Sequence, residues 1–332
     1  MTILPISSET TAAGARIARS QLWLWIGLVL LALCALPLVL PSYQLSIATE
    51  ILIFSLLAMS IDVLAGFGGR TSLGHGAIFG ISAYVAIYWS ASLDGNIWIG
   101  LLLGVLAATA LAAVFALLAI RTSGVYFLLL TLALGMIVWG VCLRWTGVTG
   151  GENGLRGIGR PALIAGHASF YYAVLAVVAP VTWVMWRFVH SPFGLTLRGI
   201  RESESRMRSL GYNVPLHLFI AFVASGFFAG IAGGLYVLFN NFVSPSTVQL
   251  SQSVGGLLMA ITGGIGTLLG SFVGAAAIII LENAVSAFTA RWPTVLGLTF
   301  ILIMVFAPEG IVGRARILLA RRNPSKHSRL SK

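Results

Sequence analysis

Three groups of residues in this 332-residue chain could support chemistry. The first are acids set in apolar sequence. Asp62 and Glu282 lie inside hydrophobic runs, and Glu50 sits near the start of one. A carboxylate at the centre of a bilayer costs roughly 2.5–3.5 kcal/mol on insertion scales, so such groups face a bundle interior or a watery path. There they can carry protons or cations, or hold a neighbouring helix. Asp62 lies close to the end of its run, where an ion pair with Arg70 or a helix cap suits it. Glu282 lies mid-run and is open between a hydrogen bond to Asn283 or another helix and a place in a path. His75, between Gly74 and Gly76, is a packed residue or a proton relay. The second group is two cysteines, Cys34 and Cys142, both in apolar runs and read as small core residues rather than a disulfide or metal pair. The third is a polar stretch over 191–215, where Arg198, Arg201, Arg206 and Arg208 crowd with Glu202 and Glu204.

None of these forms a constellation for covalent or metal chemistry. The five histidines are scattered, and no metal-ligand spacing, Cys-x-x-Cys or nucleophile elbow stands in a fitting context. The only lysines, Lys326 and Lys332, do not follow glycine, so there is no phosphate-binding loop. The sequence therefore predicts neither an enzyme nor a resident cofactor or metal.

The elements that must position these residues are set by composition. Hydrophobic residues make up 58% and charged residues 9% of the chain, and the mean hydropathy is +0.97. Soluble domains carry about 25% charged residues. The pattern predicts an all-α, polytopic membrane protein with about ten spans, each near the 20 residues that cross a bilayer. They fall at 21–40, 45–65, 74–92, 97–120, 124–146, 168–189, 216–240, 248–267, 271–290 and 292–308. The Gly- and Thr-rich fifth and eighth are the least regular. The first run is too long for a signal-peptide core, no small-residue cleavage site follows it, and Leu33 is bulky for a lipoprotein site; it is read as an uncleaved span. The chain then divides into an N-terminal segment (1–20), a membrane domain (21–308) and a basic tail (309–332) suited to anionic lipid.

Basic residues fix the direction. With the N-terminus in the cytoplasm, 16 of the 20 Lys and Arg fall inside and only Arg144, Arg156, Arg160 and Arg291 outside. Both termini and the 191–215 stretch are thus expected in the cytoplasm. The net charge of +11 follows this pattern and does not point to nucleic acid.

Helix packing has its own signature. Glycines recur at four-residue spacing at Gly226, Gly230 and Gly234, at Gly266, Gly270 and Gly274, at Gly76 and Gly80, and at Gly100 and Gly104. Such faces let helix backbones approach in lipid. A short echo links "GGRTSLG" (68–74) to "GIGTLLG" (264–270). Outside, Gly150, Gly151, Glu152 and Asn153 open "TGGENGLRGIGRP" (149–161), whose Gly-Gly and Asn-Gly pairs allow tight turns. That loop is a compact turn, a docking surface or the lip of a path. Within 191–215, Leu197, Ile200, Met207 and Leu210 recur at helical intervals and Gly211 ends the pattern. One or two amphipathic helices at the cytoplasmic face are expected there, either a solvated loop or a docking element for a soluble partner.

Six segments in order carry a resemblance: "GFGGRTSLGHGAIFGISAYV" (66–85), "SGVYFLLLTLALG" (123–135), "TGGENGLRGIGRP", "SPFGLTLRGIRESESRMRSLGYNV" (191–214), "GGIGTLLGSFVGA" (263–275) and "FAPEGIVG" (306–313). Together, over about residues 45 to 315, the chain resembles the permease subunit of branched-chain amino acid ABC importers, the M-type of two paralogous permeases. The resemblance implies a second paralogous permease, two cytoplasmic ATPases, a periplasmic substrate-binding protein and a multi-pass position in the bacterial inner membrane. It also implies that 191–214 is the ATPase-coupling segment, with Arg198, Arg201, Glu202, Glu204, Arg206, Met207 and Gly211 as its candidate residues. Ser205 and Arg206 stand where the family often has small alanines. Asp62, His75 and Glu282 are the candidates for the translocation path. The same scaffold would suit urea or a short amide. From other classes, an ion-gradient-driven secondary transporter using Glu282 and Asp62, or a passive channel, are the rivals.

Overall fold

The computed structural model describes residues 31–157, 159–289, 292–306 and 310–314. The expected N-terminal segment and the basic tail beyond Arg314 lie outside the described residues. A helical stretch over 31–39 leads into α1 (Ser42–Asp62), which continues through a π turn at Val63–Phe67. The chain then forms α2 (His75–Ser92), α3 (Ile97–Ala119), α4 (Gly124–Arg144) and α5 (His167–Val189). Two short helices follow, α6 (Pro192–Glu202) and α7 (Glu204–Ser209), then α8 (Val214–Asn240), α9 (Leu250–Gly263), α10 (Gly270–Ser286) and α11 (Trp292–Phe306). The only sheet among the described residues is a two-residue antiparallel pair, Leu155–Arg156 against Phe242–Val243. The molecule is a helical, multi-pass membrane protein.

Helix α1 with its π turn and helix α8 form the core. Together with α3, α4 and α5, they are the five segments among the described residues long and apolar enough to cross a bilayer alone. α1 and α8 are mostly buried within the protein, while α3 and α4 turn large apolar side chains such as Leu106, Leu117, Leu129 and Ile137 outward. That split is what lipid demands: outward apolar side chains cost nothing there, and attraction between helices must come from close contact. Glycine supplies the contact. Gly226 of α8 faces Ala112 of α3 with no room for a Cβ, and Gly230 faces Ala108 one turn on. The Ser82 hydroxyl of α2 donates to the Gly230 carbonyl at 2.7 Å, tying a third helix to the same spot. Gly226→Val should therefore lower the thermal unfolding midpoint in detergent through overpacking of about 1–3 kcal/mol. Adding Ala112→Gly should recover part of the loss.

The eighth expected span differs most from its sequence reading. Helix α9 has 14 residues, about 21 Å at the rise of an α-helix, against a hydrocarbon core of about 30 Å. The preceding chain makes up the difference without a full helix. From Phe242 to Gln249 it runs as a strand pair and a 3-10 turn, Pro245–Val248. Thr247 and Val248 are buried against Gly80 of α2, and Ser253 against Gly76. Irregular backbone is tolerated at membrane depth only where protein surrounds it. Here the Ser253 hydroxyl accepts from the Gly76 N–H at 2.7 Å, and the Thr247 N–H donates to the Ser244 carbonyl at 2.9 Å. The fifth expected span is a regular helix, α4.

Candidate functional site

The polar stretch folds as two helices because its capping residues divide it. Ser191 caps α6, accepting from the Gly194 N–H at 3.3 Å, and Pro192 opens the helix. Ser203 breaks the run in extended conformation and caps α7 through the Arg206 N–H at 3.3 Å. Gly211, at φ +86°, turns the chain, and Asn213 caps α8. Leu197, Ile200 and Met207 are buried as their spacing predicts. Leu210 is not: it is 66% exposed, because the break at Ser203 resets the helical phase and α7 ends before it.

The inward side of this pair carries a joint of charged groups. The Arg198 guanidinium lies 4.9 Å from the centre of the Phe67 ring. Arg201 donates through Nη1 to the Gly66 carbonyl, and its stem lies on Gly69, where an added Cβ would come within 2.9 Å of Cγ. Glu204 accepts from Arg70 Nη2 at 2.7 Å and from Arg208 Nη2 at 2.6 Å. Arg70 also donates through Nη1 to the Thr122 carbonyl at 2.9 Å, so one guanidinium joins the α1–α2 loop, the α3–α4 loop and α7. Glu202, Arg206 and Arg208 point to solvent, beside exposed Leu195, Leu210 and Tyr212.

Asp62 belongs to the same end of the molecule. Its sequence position suggests Arg70 as a partner, but Arg70 goes to Glu204. The buried Asp62 carboxylate instead accepts from the backbone N–H of Gly266 at 2.6 Å and of Leu268 at 2.9 Å. Gly66 and Gly266 meet so closely that a Cβ on Gly66 would sit 2.5 Å from the Gly266 nitrogen. Gly310, at φ +74°, rests on Gly264 and on the Ile261 carbonyl. The two echoing loops and the glycine of "FAPEGIVG" thus gather in one place. The Asp62 link spans 204 residues of sequence, which local spacing cannot reveal.

The other candidates lie apart from this joint. His75 is fully buried between α1 and α8, its Nε2 at 2.6 Å from the Ser225 hydroxyl. That hydroxyl donates to the Ser60 carbonyl at 2.5 Å, so it accepts from a protonated Nε2. Glu282 is half-buried near the far end, with Glu50 and Asn283 as neighbours; the Tyr43 hydroxyl donates to Asn283 at 3.4 Å. Cys34 and Cys142 are both free thiols. Among the described residues no group of three or more His, Cys, Asp or Glu is placed to hold a metal.

At that far end Gly150, Gly151 and Gly154 all take positive φ, as the glycine pairs predict, while Glu152 and Asn153 point to solvent. Arg160, which the sequence does not single out, clasps the end of α8. It donates to the carbonyls of Leu238 and Phe239 at 3.0 and 2.8 Å and stacks 4.1 Å from the Phe170 ring centre. A cavity of about 350 Å³ opens beside it, lined by Ser90, Asn96, Trp98, Gly157, Arg160 and Asn241 among others.

The described residues form a helical membrane bundle with a charged joint at one end, and the class of protein follows from what this chain is similar to. The chain belongs to the family described as branched-chain amino acid transport system / permease component, which matches residues 43–307. It is 27% identical to the high-affinity branched-chain amino acid transport system permease protein LivM of Escherichia coli K12, over 90% of this chain and 76% of that protein. It is 23% identical to LivH of the same organism, over 80% and 92%. It is 29% identical to the autoinducer 2 import system permease protein LsrC of Klebsiella pneumoniae, over 57% and 56%. The chain is accordingly a permease subunit of an ABC importer and not an enzyme.

Proposed function

We propose that the chain forms half of the translocation path of an importer for branched-chain or related amino acids in the bacterial inner membrane. A second, paralogous permease forms the other half. Two cytoplasmic ATPases supply the energy, and a periplasmic binding protein delivers the solute. The observation that carries this reading is the joint at α6–α7: Arg201 and Glu204 fasten two amphipathic helices to the loops of the bundle, while Glu202, Arg206, Leu195 and Leu210 remain available outside. A short helix of this kind docks in a groove on a soluble partner and passes its movement on. ATP binding closes the ATPase pair, α6–α7 shift, and the path changes the side to which it opens. No bond of the solute is made or broken. On this reading Glu282, beside Glu50, meets the solute on that path, while Asp62 and His75 are bonded inside the bundle.

The test is reconstitution. Vesicles holding both permeases, the ATPases and the binding protein should take up branched-chain amino acids only with ATP inside the compartment that holds the ATPases. The chain alone should take up nothing in response to a proton or sodium gradient; gradient-driven uptake without any ATPase would overturn the reading. Uptake of urea or a short amide in place of amino acids would move the substrate assignment and leave the mechanism standing.

A further inference from the structure

We propose that Asp62 and Arg201 are the positioning residues that carry movement of α6 into the α9–α10 hairpin. The inference rests on the function proposed above and assigns its route inside the bundle. The loop between α9 and α10 is a tight turn: Gly264, Gly266 and Leu268 all have positive φ, at 112°, 82° and 50°. Leu268 takes that conformation although it has a side chain, which costs energy unless the surroundings hold it. Asp62 holds it. Both of its oxygens are committed, one to the N–H of Gly266 and one to that of Leu268, and charge-assisted bonds of this kind are among the stronger ones.

Arg201 reaches the same turn from α6. It donates to the Gly66 carbonyl, one helical turn beyond Asp62, and its Nη1 lies 3.2 Å from where a Cβ on Gly266 would be. One guanidinium thus bonds the first loop and lies close to the second, and one carboxylate locks the second loop to the first. The hairpin has its own reason to respond. α9 is the short crossing, and it meets α10 through glycines with no spare room, Gly263 against Gly270 and Gly274 against Met259. A push on the turn therefore moves two helices as a unit. Without the Asp62 carboxylate, α6 would still hold α1 but would lose the hairpin.

The experiment uses the complete reconstituted importer with Asp62→Asn and, separately, Arg201→Met and Arg201→Lys in this chain. Asn keeps the shape of Asp but turns a donor toward one of the two N–H groups. Arg201 is partly exposed, so its replacement leaves the core unchanged. Expected are normal membrane levels and ATPase co-purification for all three. Solute moved per ATP hydrolysed should fall at least about tenfold in Asp62→Asn and Arg201→Met, the factor that loss of one charge-assisted bond produces. Arg201→Lys should recover part of it. A spin label at Ile265, 39% exposed on the turn, should shift on ATP binding in the parent protein and stay still in Asp62→Asn. Uptake and ATP hydrolysis falling in parallel with the amount of assembled complex would show a merely structural role and overturn the inference. So would full transport per ATP in Arg201→Met. ATP-independent uptake by the parent complex would instead remove the proposed function itself.

Discussion

Glu204→Lys is expected to abolish uptake, and the paired exchange Arg70→Glu with Glu204→Lys to restore a part of it. Glu204 is the hinge pin of the joint. Its two oxygens take Arg70 from the bundle and Arg208 from its own helix, at 2.7 and 2.6 Å. Arg70 is 8% exposed and Glu204 31%, so the pair is screened far less than a surface salt bridge. Removing one partner of this part-buried pair strands the Arg70 charge, at a cost of about 1–3 kcal/mol. A lysine at 204 would go further and bring a third positive charge to the pocket. Helix α7 should detach from the α1–α2 and α3–α4 loops while the spans still insert. The comparison to make is radiolabelled uptake per unit of permease in the membrane, for both single variants and the pair. If Glu204→Lys transports like the parent, the joint has no part in coupling.

The second large effect is expected at Gly80. A Cβ there would overlap Val248 Cγ1 and lie 2.9 Å from the Thr247 carbonyl oxygen and 3.0 Å from Val248 Cα. Two of these three are backbone atoms, which no rotamer change can move aside. Gly80→Leu should expel the 245–248 turn from α2. The cost is that of overpacking, about 1–3 kcal/mol, together with the exposure of backbone groups to lipid. Gly80→Ala should give a smaller loss in the same direction. Uptake should be absent in the leucine variant, and a cysteine at Thr247, buried in the parent, should become reactive to a water-soluble maleimide. Unchanged uptake and reactivity would contradict the packing of this segment.

Much of this architecture was legible in the residues. Apolar runs located the helices because lipid leaves no other way to satisfy the backbone. Gly211 marked the end of the polar segment because helix termination is local chemistry. The glycine spacing anticipated Gly226 and Gly230 against α3 because a four-residue repeat is one helix face. What stayed hidden depends on distance along the chain. The Asp62 carboxylate bonds to a turn more than two hundred residues away, and nothing near Asp62 announces it. The choice of Arg70 between Asp62 and Glu204 was equally invisible. The short reach of α9 was masked because the Gly- and Thr-rich run over 248–267 carries on past Gly263, where the helix ends, and only Gly80 and Gly76, five spans earlier, make the irregular path of Phe242–Gln249 possible. The echo of "GGRTSLG" in "GIGTLLG" was faint as sequence, yet both loops lie against α6.

The irregular entry of α9 also bears on how the protein is made. A fourteen-residue helix preceded by Ser244, Ser246 and Thr247 is a poor candidate for leaving the insertion machinery alone. Its free N–H and C=O groups would meet hydrocarbon at a cost of several kcal/mol for each group left unsatisfied. It becomes stable only against the glycine face of α2, which must already be seated. Biogenesis is thereby ordered: the first crossings form the mould, and the late hairpin is cast into it.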